Sequence, residues 1–268
     1  MPSDFSLLKK SISYIGLKLI FAQEEMALIF NLVNNILKEI EKTNNSKDII
    51  NSVKTTCTNY KKKLINANNK ISIRTNDKIK HDYSILTHSF SETVFITLLK
   101  AKNLGKNVHV YVTESRPKNE GVILAKKLIK EDISTTLIVD SAVYEILPKV
   151  DMILVGADKI SSKFVVNKIG TYGLALSANQ KNIPCYVLCS SQKFIPINKK
   201  LDKINKKHNP NKVLNKYPNN LNIYNIYFDF TPIDFFTEII TENKNLIKND
   251  INNEMNKIKI HPLLSSYL

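Results

Sequence analysis

Apolar residues follow two different rhythms along this chain. Over residues 4–42, Leu17, Ile20, Phe21, Leu28, Ile29, Leu32, Ile36 and Ile40 recur at three- and four-residue spacing, which predicts two amphipathic helices. Asn44-Asn45-Ser46 interrupts them, and 48–65 predicts another helix. Residues 66–82, rich in Asn and Lys, read as a linker. From Tyr83 the rhythm changes to short β-branched runs at 85–87, 108–113, 135–139, 152–155 and 185–189. Helix-like stretches at 91–102, 119–130, 142–147 and 171–181 separate them. Strand and helix in alternation predict a parallel sheet wound in both directions. The expected fold class is therefore α/β. An N-terminal helical domain with its linker occupies 1–82, and a Rossmann-like, doubly wound, mostly parallel sheet occupies 83–268. Within it, 195–222 is rich in Asn and Lys and holds Pro196, Pro210 and Pro218, so it reads as a solvated surface insertion. Residues 223–228 predict a last strand and 233–240 a closing helix.

Glycine sharpens this picture. The chain has only six, and Gly156, Gly170 and Gly173 fall within 155–176. Glycine used this sparingly marks places where a side chain is not tolerated. A buried strand over 152–155 ends at Gly156 and presents Asp158. A turn over 167–170 then opens a helix at Thr171. In open α/β sheets the crevice beyond the carboxyl ends of the strands holds ligands. A helix start beside close-approach glycines suits an anion such as phosphate.

Charge adds less than its size suggests. The formal net charge is +15, yet of 39 basic residues only Arg74 and Arg116 are arginine. Direct base readout and phosphate forks favour arginine. No basic stripe with interleaved aromatics is visible, so a specific nucleic-acid groove is not expected. Weak, salt-sensitive adhesion to RNA is the weakest of the readings considered. Cys57, Cys185 and Cys189 are too few and too badly spaced for a disulfide framework or a zinc site. No metal and no cofactor are expected. No run approaches the roughly 18 apolar residues of a membrane span, and Lys18 interrupts the first apolar stretch. A cytoplasmic, reducing location and no membrane partner are the expectation.

Arg116 stands out because lysine replaces arginine almost everywhere else. It suits a bidentate contact to an anion at the edge of the second strand, or an ion pair with Glu114 or Asp140. Lys168, beside the helix start, suits either a phosphate or plain solvation. Asp140 ends the third strand and Asp158 follows the fourth, so both carboxylates face one crevice if they do not cap helices. His88 reads as a buried, hydrogen-bonded histidine. Phe235, Phe236, Ile239 and Ile240 are more apolar than a solvated helix needs, and part of that surface reads as a two-fold dimer patch.

Four ordered motifs complete the reading. They are Ile85-Leu86-Thr87-His88-Ser89, Val112-Thr113-Glu114-Ser115-Arg116-Pro117, Val155-Gly156-Ala157-Asp158 and Asn167-Lys168-Ile169-Gly170-Thr171. Together they resemble one superfamily over residues 83–242. It holds the regulatory subunits of eukaryotic translation initiation factor 2B and the sugar-phosphate aldose–ketose isomerases, among them methylthioribose-1-phosphate and ribose-1,5-bisphosphate isomerases. Within it the chain most resembles the alpha subunit. The isomerases carry a catalytic cysteine where this chain has Ser89, and an Arg-Gly dipeptide that this chain lacks. Ser190-Ser191-Gln192-Lys193-Phe194 resembles the factor subunits. Asp158 matches the isomerases' catalytic aspartate, where alpha subunits commonly have glutamate.

The resemblance implies a non-catalytic regulatory subunit of the nucleotide-exchange factor for initiation factor 2. Such a subunit forms a homodimer that bridges the larger complex, contacts its other subunits and helps sense the phosphorylated alpha subunit of initiation factor 2. The N-terminal domain is shorter than the family's usual helical domain. The alternative is a sugar-phosphate isomerase. Either way the implied pocket, with a sugar phosphate as its candidate ligand, comprises Ser89, Arg116, Asp140, Asp158, Asn167, Lys168, Gly170 and Thr171.

Overall fold

The computed structural model describes residues 4–197 and 206–265. Three helices lead: α1 (Asp4–Ala22), α2 (Ala27–Glu41) and α3 (Ser46–Asn76). Asn45 starts α3 by accepting the Asp48 N–H at 2.9 Å. This helix runs through most of the expected linker over 66–82. Ala67, Ile71 and Thr75, spaced by four, are buried, and Asn76 donates to the Ser72 and Thr97 carbonyls. Polar residues on a buried face hide a helical period from a hydrophobicity reading. The same is true of α2, whose buried stripe is Phe30, Val33, Leu37 and Ile40 with Asn31 and Asn34. Leu28, Ile29, Leu32 and Ile36 of the expected stripe are only half-buried.

The main sheet has seven strands in the order β10-β9-β7-β4-β1-β2-β3. β1 (Ser84–Thr87), β2 (His109–Thr113), β3 (Ser134–Ile138), β4 (Met152–Val155), β7 (Cys185–Leu188) and β9 (Glu238–Ile240) run parallel. β10 (Asn245–Leu246) is antiparallel to β9. The crossovers include α4 (Glu92–Asn103), α5 (Glu120–Lys130), α6 (Val143–Ile146) and α7 (Thr171–Gln180). The chain winds outward from β1 to β3, then returns on the other side of β1 to place β4. Thr87 pairs with Leu154 there, so the topological switch lies where β1 and β4 end.

A smaller antiparallel sheet, β5 (Lys159–Ile160), β6 (Phe164–Lys168) and β8 (Phe228–Pro232), is appended beyond β4. Asn167 and Lys168 are therefore strand residues, not a turn. The strand expected over 223–228 forms at Phe228–Pro232 instead.

The closing helix expected over 233–240 does not form. A short turn (Ile233–Phe235) leads into β9. Ile239 and Ile240 alternate between the two faces of the sheet and are 1% and 0% exposed. Phe236 is buried as well, and Phe235 packs edge-on to Tyr172 at 5.8 Å. Phe236, Ile239 and Ile240 are thus core, and Phe235 is half-buried against it, so the four do not form an exposed helix face. A paired phenylalanine and isoleucine set fits a strand buried on both faces as well as it fits an apolar helix face.

The chain then returns to its beginning. Ile251 and Met255 of α8 (Lys248–Asn256) enter the sheet core. Leu264 of α9 (Pro262–Ser265) joins Phe30, Val33 and Leu37. Asn34 accepts the His261 N–H at 2.8 Å and donates to the Lys259 carbonyl at 2.9 Å. Of the expected insertion over 195–222, residues 198–205 lie outside the described residues, Ile195 and Pro196 are buried, and 206–222 are largely exposed. No described helix is long and apolar enough to cross a membrane.

Candidate functional site

A cavity of about 210 Å³ opens at the switch point, between the ends of β1, β4 and β7 and the helices α2 and α3. Ser89 and Ser91 reach it from the turn after β1, Asp158 from the turn after β4, and Asn167 from β6. Gly156 is required there: a Cβ on it would lie 2.7 Å from the Ser91 hydroxyl. Helix α2 sets the far wall. The Ala27 N–H donates to the Asp158 carbonyl at 3.0 Å, and Asn31 donates to the carbonyls of Gln192 and Phe194, both at 2.8 Å. These bonds hold the Asp158 turn and the 190–194 segment against one helix. Lys193 lies 3.4 Å from the Asp158 carboxylate, and both side chains are largely withdrawn from water.

Ser89 has a left-handed backbone, φ +67°, as does Ser115, φ +63°. Non-glycine residues held there store local strain, which needs a surrounding network. That network starts at His88. Its Nε2 faces the Ile169 carbonyl at 2.7 Å and its Nδ1 the Thr113 hydroxyl at 2.6 Å. A carbonyl only accepts, so Nε2 carries the proton and Nδ1 accepts from Thr113. Burial lowers the pKa of His88, which holds the ring neutral. Thr113 touches the Ser115 hydroxyl at 3.0 Å, and Ser115 Oγ accepts the Ser89 N–H at 2.7 Å. The turn after β1 is thus fixed through the end of β2.

The other expected residues stand elsewhere. Arg116, Asp140 and Gly170 line a separate open groove with Val213 and Asn225. The Arg116 guanidinium donates to the Val213 carbonyl at 2.8 Å. Asp140 accepts the N–H groups of Ser115 and Arg116, both at 2.7 Å, so it braces the turn after β2 and caps no helix. Lys168 is buried against Glu120 at 2.9 Å. Thr171 is buried too, donating to the Lys168 carbonyl and accepting from Asn167.

The α7 start expected to hold an anion already holds one. Asp229 Oδ2 accepts the Gly170 N–H at 2.6 Å and the Tyr172 N–H at 3.0 Å. Burial raises the pKa of Asp229, and those two N–H bonds oppose the shift. Gly170 is the N-cap, with φ +106°, and a Cβ on it would lie 2.8 Å from the His88 ring. Ser89, Asp158 and Asn167 share the crevice, and the rest serve the groove or the frame.

Two crevice residues, Ser190 and Lys193, are missing from the expected set, although their motif is visible in the sequence. A third is Cys189, which ends in the cavity wall. Burial pushes its thiol up to about 12, so it stays protonated and inert. Among the described residues no group of three metal-binding side chains comes together.

Comparison with known proteins gives the family and the fold. The model of the initiation factor 2 subunit family matches residues 3–246. The chain is 34% identical over 240 residues to ribose 1,5-bisphosphate isomerase of Methanocaldococcus jannaschii, covering 87% of this chain and 76% of that protein. It is also 34% identical over 166 residues to translation initiation factor eIF2B subunit alpha of Caenorhabditis elegans, a match that spans 60% of this chain and 53% of that protein. Among solved structures, the translation initiation factor eIF-2B of Pyrococcus horikoshii superposes with a TM-score of 0.82 at 30% identity. It covers 93% of this chain and 86% of its own.

Proposed function

The chain belongs to the initiation factor 2 subunit family, and from that premise we propose that it is a non-catalytic, alpha-like regulatory subunit. Its complex exchanges guanine nucleotide on translation initiation factor 2. The observation that carries this reading is Ser89. A serine hydroxyl does not titrate near neutral pH and needs a base to move a proton. The nearest imidazole, His88, has both nitrogens engaged, on Ile169 and Thr113. Cys189 supplies no substitute, because its thiol stays protonated. A cytosolic homodimer that joins two halves of the complex and contacts phosphorylated initiation factor 2 completes the proposal. Its contact face lies outside the buried Phe236, Ile239 and Ile240. Purification of the tagged chain from native extract tests the assignment: other exchange-factor subunits should co-purify, and their absence overturns it.

A second reading, a ribose-bisphosphate isomerase, is favoured by Asp158 in the crevice and by the match across most of the archaeal isomerase. Incubation of the purified chain with ribose 1,5-bisphosphate decides between the two. Background conversion is expected, and sustained turnover by the unmodified protein promotes the isomerase. Ser89→Cys sharpens the result, since turnover confined to that variant marks a retired active site.

A further inference from the structure

Helix α1 is apolar on two sides, and the rest of the chain covers one of them. Gly16 packs it against α2, where a Cβ would lie 2.7 Å from a Val33 methyl. Phe5, Leu8, Ile12, Leu17 and Ile20 complete that inner face around Phe30, Val33 and Leu37. On the outer side Leu7, Tyr14, Ile15 and Leu19 stand at i, i+7, i+8 and i+12, which sets them on one stripe. They are 49–60% exposed. A helix with apolar residues on opposite sides is ordinarily covered on both.

Beside this stripe lies a groove of about 550 Å³ between α1, α2 and α9. Tyr14 forms its rim, and Leu17, Leu37, Ile40 and Pro262 form its floor. Helices α1 and α2 are antiparallel, since Gly16 meets Val33 while Lys9 donates to the Thr43 carbonyl at 2.6 Å. A groove along such a hairpin has the shape that accepts a third helix. The stripe from Leu7 to Leu19 is about 18 Å long, so about three to four turns of a partner would cover it.

Charge selects the partner. Lys10 and Lys18 form no ion pair among the described residues, and the Lys18 ammonium lies over the Tyr14 ring at 4.5 Å. Lys9 donates to the Glu41 and Thr43 carbonyls, which leave its charge unmatched. Glu41, the one carboxylate among the described lining residues, faces His261 Nε2 at 2.7 Å. A second copy would bring the same lysines against this surface. A bilayer recruits clusters of about four to eight basic residues, and here three lysines stand beside a concave groove.

We infer that α1 and this groove dock an acidic amphipathic helix of a partner protein. Its apolar anchors would lie against Leu7, Tyr14, Ile15 and Leu19, and its carboxylates toward Lys10 and Lys18. The groove shares no lining residue with the crevice, so the docking is independent of whether the chain is a subunit or an isomerase. The test is fluorescence anisotropy of the full chain with three labelled peptides of about 18 residues. One has leucines at helical spacing with glutamates between them, the second has lysine for glutamate, and the third scrambles the first. The glutamate peptide should bind saturably, and at least about tenfold more tightly than the other two. Ile15→Gln with Leu19→Gln should lose about tenfold or more of that affinity; both sites are exposed, so the thermal midpoint should be unchanged. Lys10→Glu with Lys18→Glu should reverse the preference between the glutamate and lysine peptides. Equal binding of the scrambled peptide, or no binding of any peptide, overturns the inference. So does tighter binding to phosphatidylserine vesicles than to the glutamate peptide, or self-association that the Ile15 and Leu19 substitutions abolish.

Discussion

The turn after β4 and the turn before α7 look alike in the sequence, and the structure uses them in opposite ways. Each brings a glycine and polar residues to the carboxyl edge of the sheet. At Gly156 the space that a side chain would fill belongs to Ser91, and beyond it lies a cavity. At Gly170 the space belongs to His88, and the N–H groups beyond it belong to Asp229. A close-approach glycine marks a place where something packs tightly. It does not say whether that something is a ligand or the protein itself.

Substitution at the glycines is the most forceful way to break this comparison. Gly170→Ala combines a left-handed φ with contact on a buried ring, and should cost about 2–4 kcal/mol. Gly156→Ala has no left-handed φ to add to its clash with Ser91, whose Cβ would lie 2.8 Å away, and should cost about 1–3 kcal/mol. Urea unfolding ranks them. An equal cost at both sites would show that the two turns are not different in kind.

Asp229→Ala comes next. It removes the acceptor from two N–H groups at the α7 start, and should cost about 1–2 kcal/mol by the same measurement. A neutral outcome would mean that water serves those groups as well as the carboxylate does.

Acid provides a gentler probe of the His88 end. Burial, the largest cause, lowers its pKa; Lys168 also lowers it, while the Ile169 carbonyl, Asp140 and Asp229 act to raise it. The unfolded chain therefore binds a proton near the ordinary value of about 6.5 while the folded chain does not. Stability is full above that pH and falls as pH drops below it, by at most about 1.4 kcal/mol per unit. The lowered pKa of His208 adds a slope of the same sign. Urea midpoints at pH 7.5 and 5.5 should show the loss, and His88→Gln should reduce it. An unchanged slope in that variant would locate the titration elsewhere.

Gly173→Ala is the smallest and the control. Nothing lies within 4 Å of a Cβ there, and alanine favours helix by about 1 kcal/mol. A neutral or slightly raised midpoint is expected. A loss as large as that of Gly170→Ala would remove any distinction among the three glycines.

The parallel strands were legible because they are short, apolar and β-branched, with turns where polar residues cluster. Met152–Val155 has the bounds read from the sequence. The smaller sheet was not legible, since two-residue Lys159–Ile160 carries no period. Ile233–Ile240 misled because strand and helix both accept an apolar run of that length. The site was half legible. Ser89 and Asp158 meet because the switch point is a property of topology. Arg116 and Lys168 drew attention by rarity and motif, but their partners Val213 and Glu120 are distant in the chain. Pairings across such separations leave no local mark in a single sequence.

The return of the last helix to the first three has a consequence in time. Phe30, Val33 and Leu37 leave the growing chain well before Leu264, which completes their cluster and follows more than 200 residues later. Asn34 must likewise await Lys259 and His261. During synthesis the N-terminal helices have an unfinished apolar face until Leu264 has emerged. Their final docking therefore waits on the synthesis of residues 259–264 rather than on local helix formation.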